Sequence, residues 1–422
     1  MASEPAPARL SRDLTQPEAV PEAGIARAVE LMRSGRLFRY GETGADQLDV
    51  SLLEEEFAAF VGRRYCVAVN SGGAAMFLAL KAAGVAPGNP VLVNGFTLAP
   101  VPGAILHAGA RPVIVEITRD YVIDPDDLSR KARASGAKVL LLSHMRGHVA
   151  DMDRVLEVCG EHGLILVEDC AHALCTTYKG RTVGTFGAAA AFSAQTYKHL
   201  NAGEGGFLVT DDPLIAGRSI LQSGSYMLYD QHLSTPGPDV LASLAERVPN
   251  FSMRMSALVA AILRPQLAEL PRRAARWAAI HERIAAGLAR SPHVHLPSRG
   301  HEASPTSVQF SVLGLDAEAM AAFIGKAKDR GLPIKWFGAE RQVGFTSAPR
   351  HWRYAGDQGP LASTHAVLAR LCDIRTPLSL TEEDCDLIAA IVRECIDSVL
   401  SGTGEDYGNG HRTRPAIPGR TS

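Results

Sequence analysis

Lys198 stands five residues after Ser193, in the stretch Ala191-Phe-Ser-Ala-Gln-Thr-Tyr-Lys-His-Leu-Asn-Ala-Gly-Glu-Gly-Gly206. Apolar residues lead into Ser193, and Gly203-Glu-Gly-Gly206 turns the chain into the β-type run Phe207-Leu-Val-Thr210. Loops held by glycines beside apolar strands are where a rigid scaffold presents reactive side chains. A partly desolvated amine there has a lowered pKa and can attack a carbonyl to form an imine. Taken alone, the same lysine reads more readily as a surface residue on a connecting loop, so the upstream residues must decide.

Asp169 ends the apolar run Leu164-Ile-Leu-Val-Glu-Asp169. A carboxylate in that place can cap the next helix, or pair with a protonated ring nitrogen. The second role, combined with a lysine imine, is the signature of pyridoxal phosphate chemistry. His172 follows three residues later, near enough to stack on such a ring or bond its phenolic oxygen. Asn70-Ser-Gly-Gly73 lies between a strand at 65–69 and a helix at 74–83. A helix start offers free N–H groups and a positive dipole end to a phosphate, and Ser71 is placed to cap. An ordinary capped helix after a strand is the plainer reading of that motif.

These side chains need elements to position them. Helical periodicity predicts helices at 25–34, 51–60, 124–134, 151–162 and 380–400, and a helical stretch from 255 to 288. Apolar strands are expected at 65–69, 90–93, 111–116, 138–142, 164–169, 307–312 and 333–337. Strands that are apolar throughout and separated by helices imply a mainly parallel sheet covered on both faces. Ligands of such sheets sit at the carboxyl ends of the strands, where Ser71, His144, Asp169 and Lys198 all fall. Residues 222–250 are rich in Gly, Ser and Pro and read as a loop over the site or at a subunit contact. The polar stretch to Gln47 also reads as a loop.

At 422 residues the chain exceeds one compact core, so two domains are expected. The division is a poorly ordered N-terminus at 1–22, a large α/β domain at 23–270, a smaller α+β domain at 271–400 and a disordered tail at 401–422. A net charge of -2, with no like-charge block, argues against nucleic acid as a partner. No apolar run reaches the roughly 18 residues of a membrane span, and no signal peptide is visible, so a cytoplasmic location is expected. Seven scattered cysteines suit free thiols, and Cys170 and Cys175 lack zinc spacing, so no metal site is expected.

Taken together, the motifs resemble the DegT/DnrJ/EryC1/StrS aminotransferase family. They are Val69-Asn-Ser-Gly72, Glu168-Asp-Cys-Ala-His172, Phe192-Ser-x(4)-Lys198 and Gly203-Glu-Gly-Gly206. His144-Met-Arg-Gly147 with Asp151-Met-Asp153, and Ile374-Arg-Thr-Pro-Leu378, agree. The resemblance covers about residues 30 to 400. It implies the fold type I architecture of pyridoxal phosphate enzymes and an amino transfer from Glu or Gln to a keto sugar, cyclitol or related natural-product precursor. An elimination, cyclisation or lyase reaction on an amino acid is the alternative. It further implies that Lys198 binds the cofactor covalently and shuttles the proton, that Asp169 partners the pyridine nitrogen, and that His172 lies beside the ring. Gly72, Gly73 and Ser193 fall at phosphate-binding positions. Leu98 occupies the place of a ring-stacking aromatic residue, with Phe96 two positions away. Gly73 replaces a common Thr, and Cys175 a common Gly. Asn250, or Ser252, corresponds to a residue that reaches the cofactor of the neighbouring subunit, so a homodimer with shared sites is expected.

Overall fold

The computed structural model describes residues 7–41, 48–342, 344 and 347–405. The polar stretch at 42–47, the first six residues and the tail beyond 405 lie outside the described residues. In chain order the helices are α1 (Glu22–Ser34), α2 (Asp49–Val61), α3 (Gly72–Ala82), α4 (Pro100–His107), α5 (Pro125–Ser135), α6 (Met152–His162), α7 (Pro213–Ser223), α8 (Pro238–Leu244), α9 (Ala257–Leu288), α10 (Ala317–Asp329), α11 (Ala362–Leu368) and α12 (Glu382–Glu405). The strands are β1 (Tyr65–Val69), β2 (Pro90–Asn94), β3 (Arg111–Val115), β4 (Val139–Ser143), β5 (Ile165–Asp169), β6 (Thr177–Tyr178), β7 (Arg181–Thr182), β8 (Ala189–Ser193), β9 (Gly206–Thr210), β10 (Val294–His295), β11 (Ser307–Val312), β12 (Lys335–Trp336) and β13 (Leu371–Arg375).

The larger sheet has the order β1-β9-β8-β5-β4-β2-β3. Its strands are parallel except β9, which runs against both neighbours. Alternate side chains enter opposite cores, as a strand requires. Cys66, Leu140, Leu166 and Phe207 pack with α2, α5, α6 and α9. Val67, Leu141, Val167 and Leu208 pack with α3, α4 and α7 on the other face. Both faces are therefore dry, which is why these strands read as unbroken apolar runs. Helix starts follow the sequence signals: Asp124, Asp151 and Asp212 each accept hydrogen bonds from first-turn N–H groups.

The smaller sheet is antiparallel, in the order β10-β11-β13-β12. It packs on α10, α12 and the second half of α9. The domain boundary expected at residue 270 falls inside α9, which runs as one helix of 32 residues despite Pro265 and Pro271. Residues 222–250, expected to be irregular, contain α8. The N-terminal expectation needs correcting from residue 7 onward. Leu10 and Leu14 are buried in the core of the smaller sheet. Leu10 also donates its N–H to the Arg330 carbonyl at 2.9 Å. The Glu18 carboxylate accepts the Leu378 N–H at 2.8 Å. All seven cysteines are free thiols.

The crossing of β9 under the start of α3 is tight. A Cβ at Gly206 would lie 2.3 Å from the Ser71 carbonyl oxygen and 2.6 Å from the Gly72 nitrogen. Gly206→Ala should therefore destabilise the protein by about 2 kcal/mol or more, since neither contact is a flexible side-chain tip. Gly160→Ala, in α6 with open space around it, should instead stabilise by roughly 0.5 kcal/mol. Denaturant titration of the two variants checks both signs.

Candidate active site

Parallel strands deliver their carboxyl ends to one edge of the larger sheet. Asp169 ends β5, and Ser143 ends β4 beside it. The Ser143 hydroxyl donates to Asp169 Oδ2 at 2.6 Å, and the Ala171 N–H donates to Oδ1 at 3.1 Å. Ser143 is itself held. Its hydroxyl accepts from Thr97 at 2.9 Å, and its N–H donates to Asn94 Oδ1 at 2.9 Å. The Asp169 carboxylate is thus fixed in direction while its outer side faces a cavity.

That cavity has a volume of about 370 Å³. Ser71, Gly72, Gly73, Asp169, His172, Ser193 and Lys198 line it. Leu98 lies against it as well. The Ser71 hydroxyl accepts the Ala74 N–H at 3.0 Å and caps α3. The first-turn N–H groups of Gly72 and Gly73 have no partner within the helix and remain for a ligand. A Cβ at Gly72 would sit 2.8 Å from Ser193 Cβ, so only glycine lets backbone and serine meet there. A Cβ at Gly73 would meet nothing closer than 3.8 Å, so this position has room for the side chain it lacks.

Lys198 is half-buried, on the turn between β8 and β9. Its Nζ lies 2.6 Å from His172 Nε2. Burial first, then the nearby Arg146 and Arg375 guanidinium groups, lower its pKa to about 7, against the opposing pull of Asp169 and Asp373. Burial and the Lys198 charge push His172 well below its ordinary value, so His172 is neutral. A neutral amine at physiological pH is the form that attacks a carbonyl.

Three expected residues are elsewhere. Phe96 is fully buried, with its ring 5.2 Å from Phe337 and 6.2 Å from Tyr121. It fills a core between the two sheets and does not line the cavity; alternation along an extended segment sends 96 and 98 to the same general side only when the backbone stays regular. Asn250 also lies outside the cavity of its own chain. Its Oδ1 accepts the Ser252 N–H at 2.9 Å, and Ser252 has a left-handed φ of 54°. His144 does not line the cavity either; its Nε2 is 3.1 Å from Glu168 Oε2. Cys175, at a position where glycine was the family habit, has φ 63°. Sequence reasoning passed over Ser143, Thr97 and Gln195, which surround or line the site. Only the polar residue closing an apolar strand was available as a signal for Ser143.

The cavity fits a phosphorylated pyridine. It is large enough for a small ligand. Its lining offers a helix start with closely approached glycines, a carboxylate and an amine. Lys198 acylation, followed by peptide mass spectrometry across pH, should show a midpoint near 7. Solvated lysines should stay protonated until about three units higher. A midpoint near 10 would remove the desolvated amine from the account.

The model of the DegT/DnrJ/EryC1/StrS aminotransferase family matches residues 21–393. The spore coat polysaccharide biosynthesis protein SpsC of Bacillus subtilis is 45% identical over 170 residues, which are 40% of this chain and 43% of that protein. The dTDP-3-amino-3,4,6-trideoxy-alpha-D-glucose transaminase of Streptomyces venezuelae is 36% identical over 263 residues, 61% of this chain and 65% of that protein. These alignments span less than two thirds of the relatives' length. The crystal structure of DesV from S. venezuelae, in complex with a ketimine intermediate, superposes with a TM-score of 0.75 at 27% identity, covering 93% of this chain and 99% of that one. With the match running through both sheets and every cavity wall, the chain belongs to the DegT/DnrJ/EryC1/StrS aminotransferase family.

Proposed function

We propose that the protein is a pyridoxal phosphate-dependent aminotransferase. It moves an amino group from glutamate or glutamine to a carbonyl acceptor such as a keto sugar, a cyclitol or another natural-product precursor. The observation that carries this reading is one cavity lined by the half-buried Lys198 amine, with its pKa lowered to about 7, by the Asp169 carboxylate and by the start of α3. Pyridoxal phosphate, when bound, supplies an electron-withdrawing ring that stabilises negative charge at the substrate carbon. In this reading Gly72, Gly73 and Ser193 hold its phosphate. Asp169, oriented by Ser143, keeps a proton on the ring nitrogen. Lys198 binds the cofactor covalently and moves the proton at the reacting carbon. His172 accepts a hydrogen bond from Lys198 Nζ or gives one to the ring oxygen, and Leu98 keeps water from the ring face.

The reading extends to organisation and place. Residues 23–270 form the cofactor domain and 271–400 the smaller one. The protein works as a cytoplasmic homodimer with shared sites, in which Asn250 or Ser252 reaches the partner's cofactor. Support for the dimer is the exposed apolar run Tyr226, Met227 and Leu228 beside that segment. No helix among the described residues is long and apolar enough to cross a membrane.

Mixing the yellow protein with L-glutamate should convert the cofactor absorbance in a single turnover. Lys198→Ala should abolish both the conversion and borohydride-reducible attachment. Asp169→Asn should slow turnover by about 100-fold, the scale of one preorganised electrostatic contact. An unchanged spectrum with glutamate, glutamine and a panel of amino donors would overturn the reading. The dimer has its own check. Lys198→Ala and Asn250→Asp proteins, mixed under subunit exchange, should regain activity, because one site of each heterodimer carries neither lesion. No recovery despite exchange would place Asn250 in its own subunit's site.

A further inference from the structure

Beyond the cofactor cavity, a second set of groups meets Lys198 from the side of the smaller sheet. Arg375 ends β13, and its guanidinium carbon lies 3.8 Å from the centroid of the Tyr197 ring. Among the described residues it makes no ion pair. Arg146 sits in the turn after β4, 7% exposed, with a left-handed φ of 58°. A non-glycine residue persists there only when its surroundings over-determine it. Here they do. One guanidinium nitrogen donates to Asp373 Oδ2 at 2.7 Å. Asp373 also accepts from Gln309 Nε2 at 2.6 Å. Gln309 Oε1 in turn lies 2.9 Å from His148 Nε2. The Nε of Arg146 is buried and has no hydrogen-bond partner.

Both arginines line two crevices, one of about 40 Å³ that includes Lys198 and one of about 380 Å³. The charged groups lining them are Lys198, Arg146, Arg375, Lys335 and Arg341 against Glu18 and Asp373. Glu18 and Asp373 are already engaged by hydrogen bonds. This local excess of positive charge stands in a chain whose net charge is -2. The smaller crevice has room for a few water-sized groups, enough for a carboxylate or phosphate head but too little for a sugar ring. A forked guanidinium is the donor suited to such planar or tetrahedral oxyanions. A neutral ligand would leave the Arg375 guanidinium without a counter-charge, since Asp373 is engaged by Arg146.

We propose that Arg146 and Arg375 form an oxyanion site beside Lys198, and that a substrate of this enzyme carries a carboxylate or phosphate close to its reacting carbon. The proposal rests on the aminotransferase reading. The oxyanion has two possible sources, the carboxylate of the amino donor or an acidic group on the carbonyl acceptor. Arg146 and Arg375 are specificity-determining residues that hold the substrate; the chemistry stays with Lys198 and Asp169.

The test titrates the holoenzyme with succinate and with inorganic phosphate, two unreactive anions, by calorimetry. Arg375→Gln is the main variant, because Arg375 is half-exposed and its loss leaves no buried charge unpaired. Thermal melting checks that it is folded. At least one anion should bind the wild type, and Arg375→Gln should weaken it about tenfold or more, the scale of one charge-assisted contact. Arg375→Lys should recover part of the loss. The KM for L-glutamate then separates the sources. A parallel rise assigns the site to the donor, and an unchanged value with weakened anion binding assigns it to an acidic acceptor. Neither anion binding the wild type, or equal binding by wild type and Arg375→Gln, overturns the proposal. A holoenzyme that ignores L-glutamate, L-glutamine and the panel of amino donors would sink the aminotransferase reading separately, since the calorimetry depends only on the arginines.

Discussion

The buried carboxylate of Glu168 holds the reactive edge of the larger sheet in place. It is fully buried, one residue before Asp169. Oε1 accepts the N–H groups of Phe186 and Gly187 at 2.8 and 2.7 Å. Oε2 accepts the Gly184 N–H at 2.9 Å and lies 3.1 Å from His144 Nε2. Burial alone would raise its pKa; His144 and these N–H groups bring it below the ordinary value. All four acceptor sites of the carboxylate are therefore filled. His144 and Cys170 have donor atoms within 4.8 Å of it, but a cation there would have to displace those hydrogen bonds. The loop that leads into β8 is tied to the end of β5, so Lys198 and Asp169 keep their relation. Because side chains alternate along β5, fixing Glu168 on one face commits Asp169 to the other.

A second buried charge group supports the segment that would reach a neighbour. Arg39 donates to both oxygens of Glu54 at 2.9 and 2.7 Å. Glu54 also accepts the Ala68 N–H of β1 at 2.7 Å and meets His232 at 3.1 Å. All three side chains are at most 2% exposed. Removing one partner of such a set leaves a buried charge and costs about 3–5 kcal/mol. The residues after α7 are anchored at His232 even though they have little regular structure.

Much of the larger sheet was readable in the chain, because a strand with both faces buried must be apolar at every position. Asp124 and Asp151 marked helix starts by the same logic of first-turn N–H groups. The smaller sheet was harder. β13 carries Asp373 and Arg375 within five residues, so its charges concealed a central strand. Lys198, Asp169 and His172, singled out by type and spacing, line one cavity. Phe96 was misplaced because a two-residue offset says nothing about where an irregular backbone turns. Arg146 and Arg375 lie 229 residues apart in sequence, and only the approach of the two sheets brings them to one crevice. No local pattern announces a pair made by tertiary contact.

The strap before α1 deserves a last look for what it does to the idea of a minimal enzyme. The family match begins at residue 21, yet Leu10, Leu14 and Glu18 close the smaller sheet and one wall of the crevice beside Lys198. A version trimmed to the matched region would keep each residue assigned to chemistry. It would also open an apolar slot and wet the amine from behind, so that the trimmed protein answers a different question from the whole one.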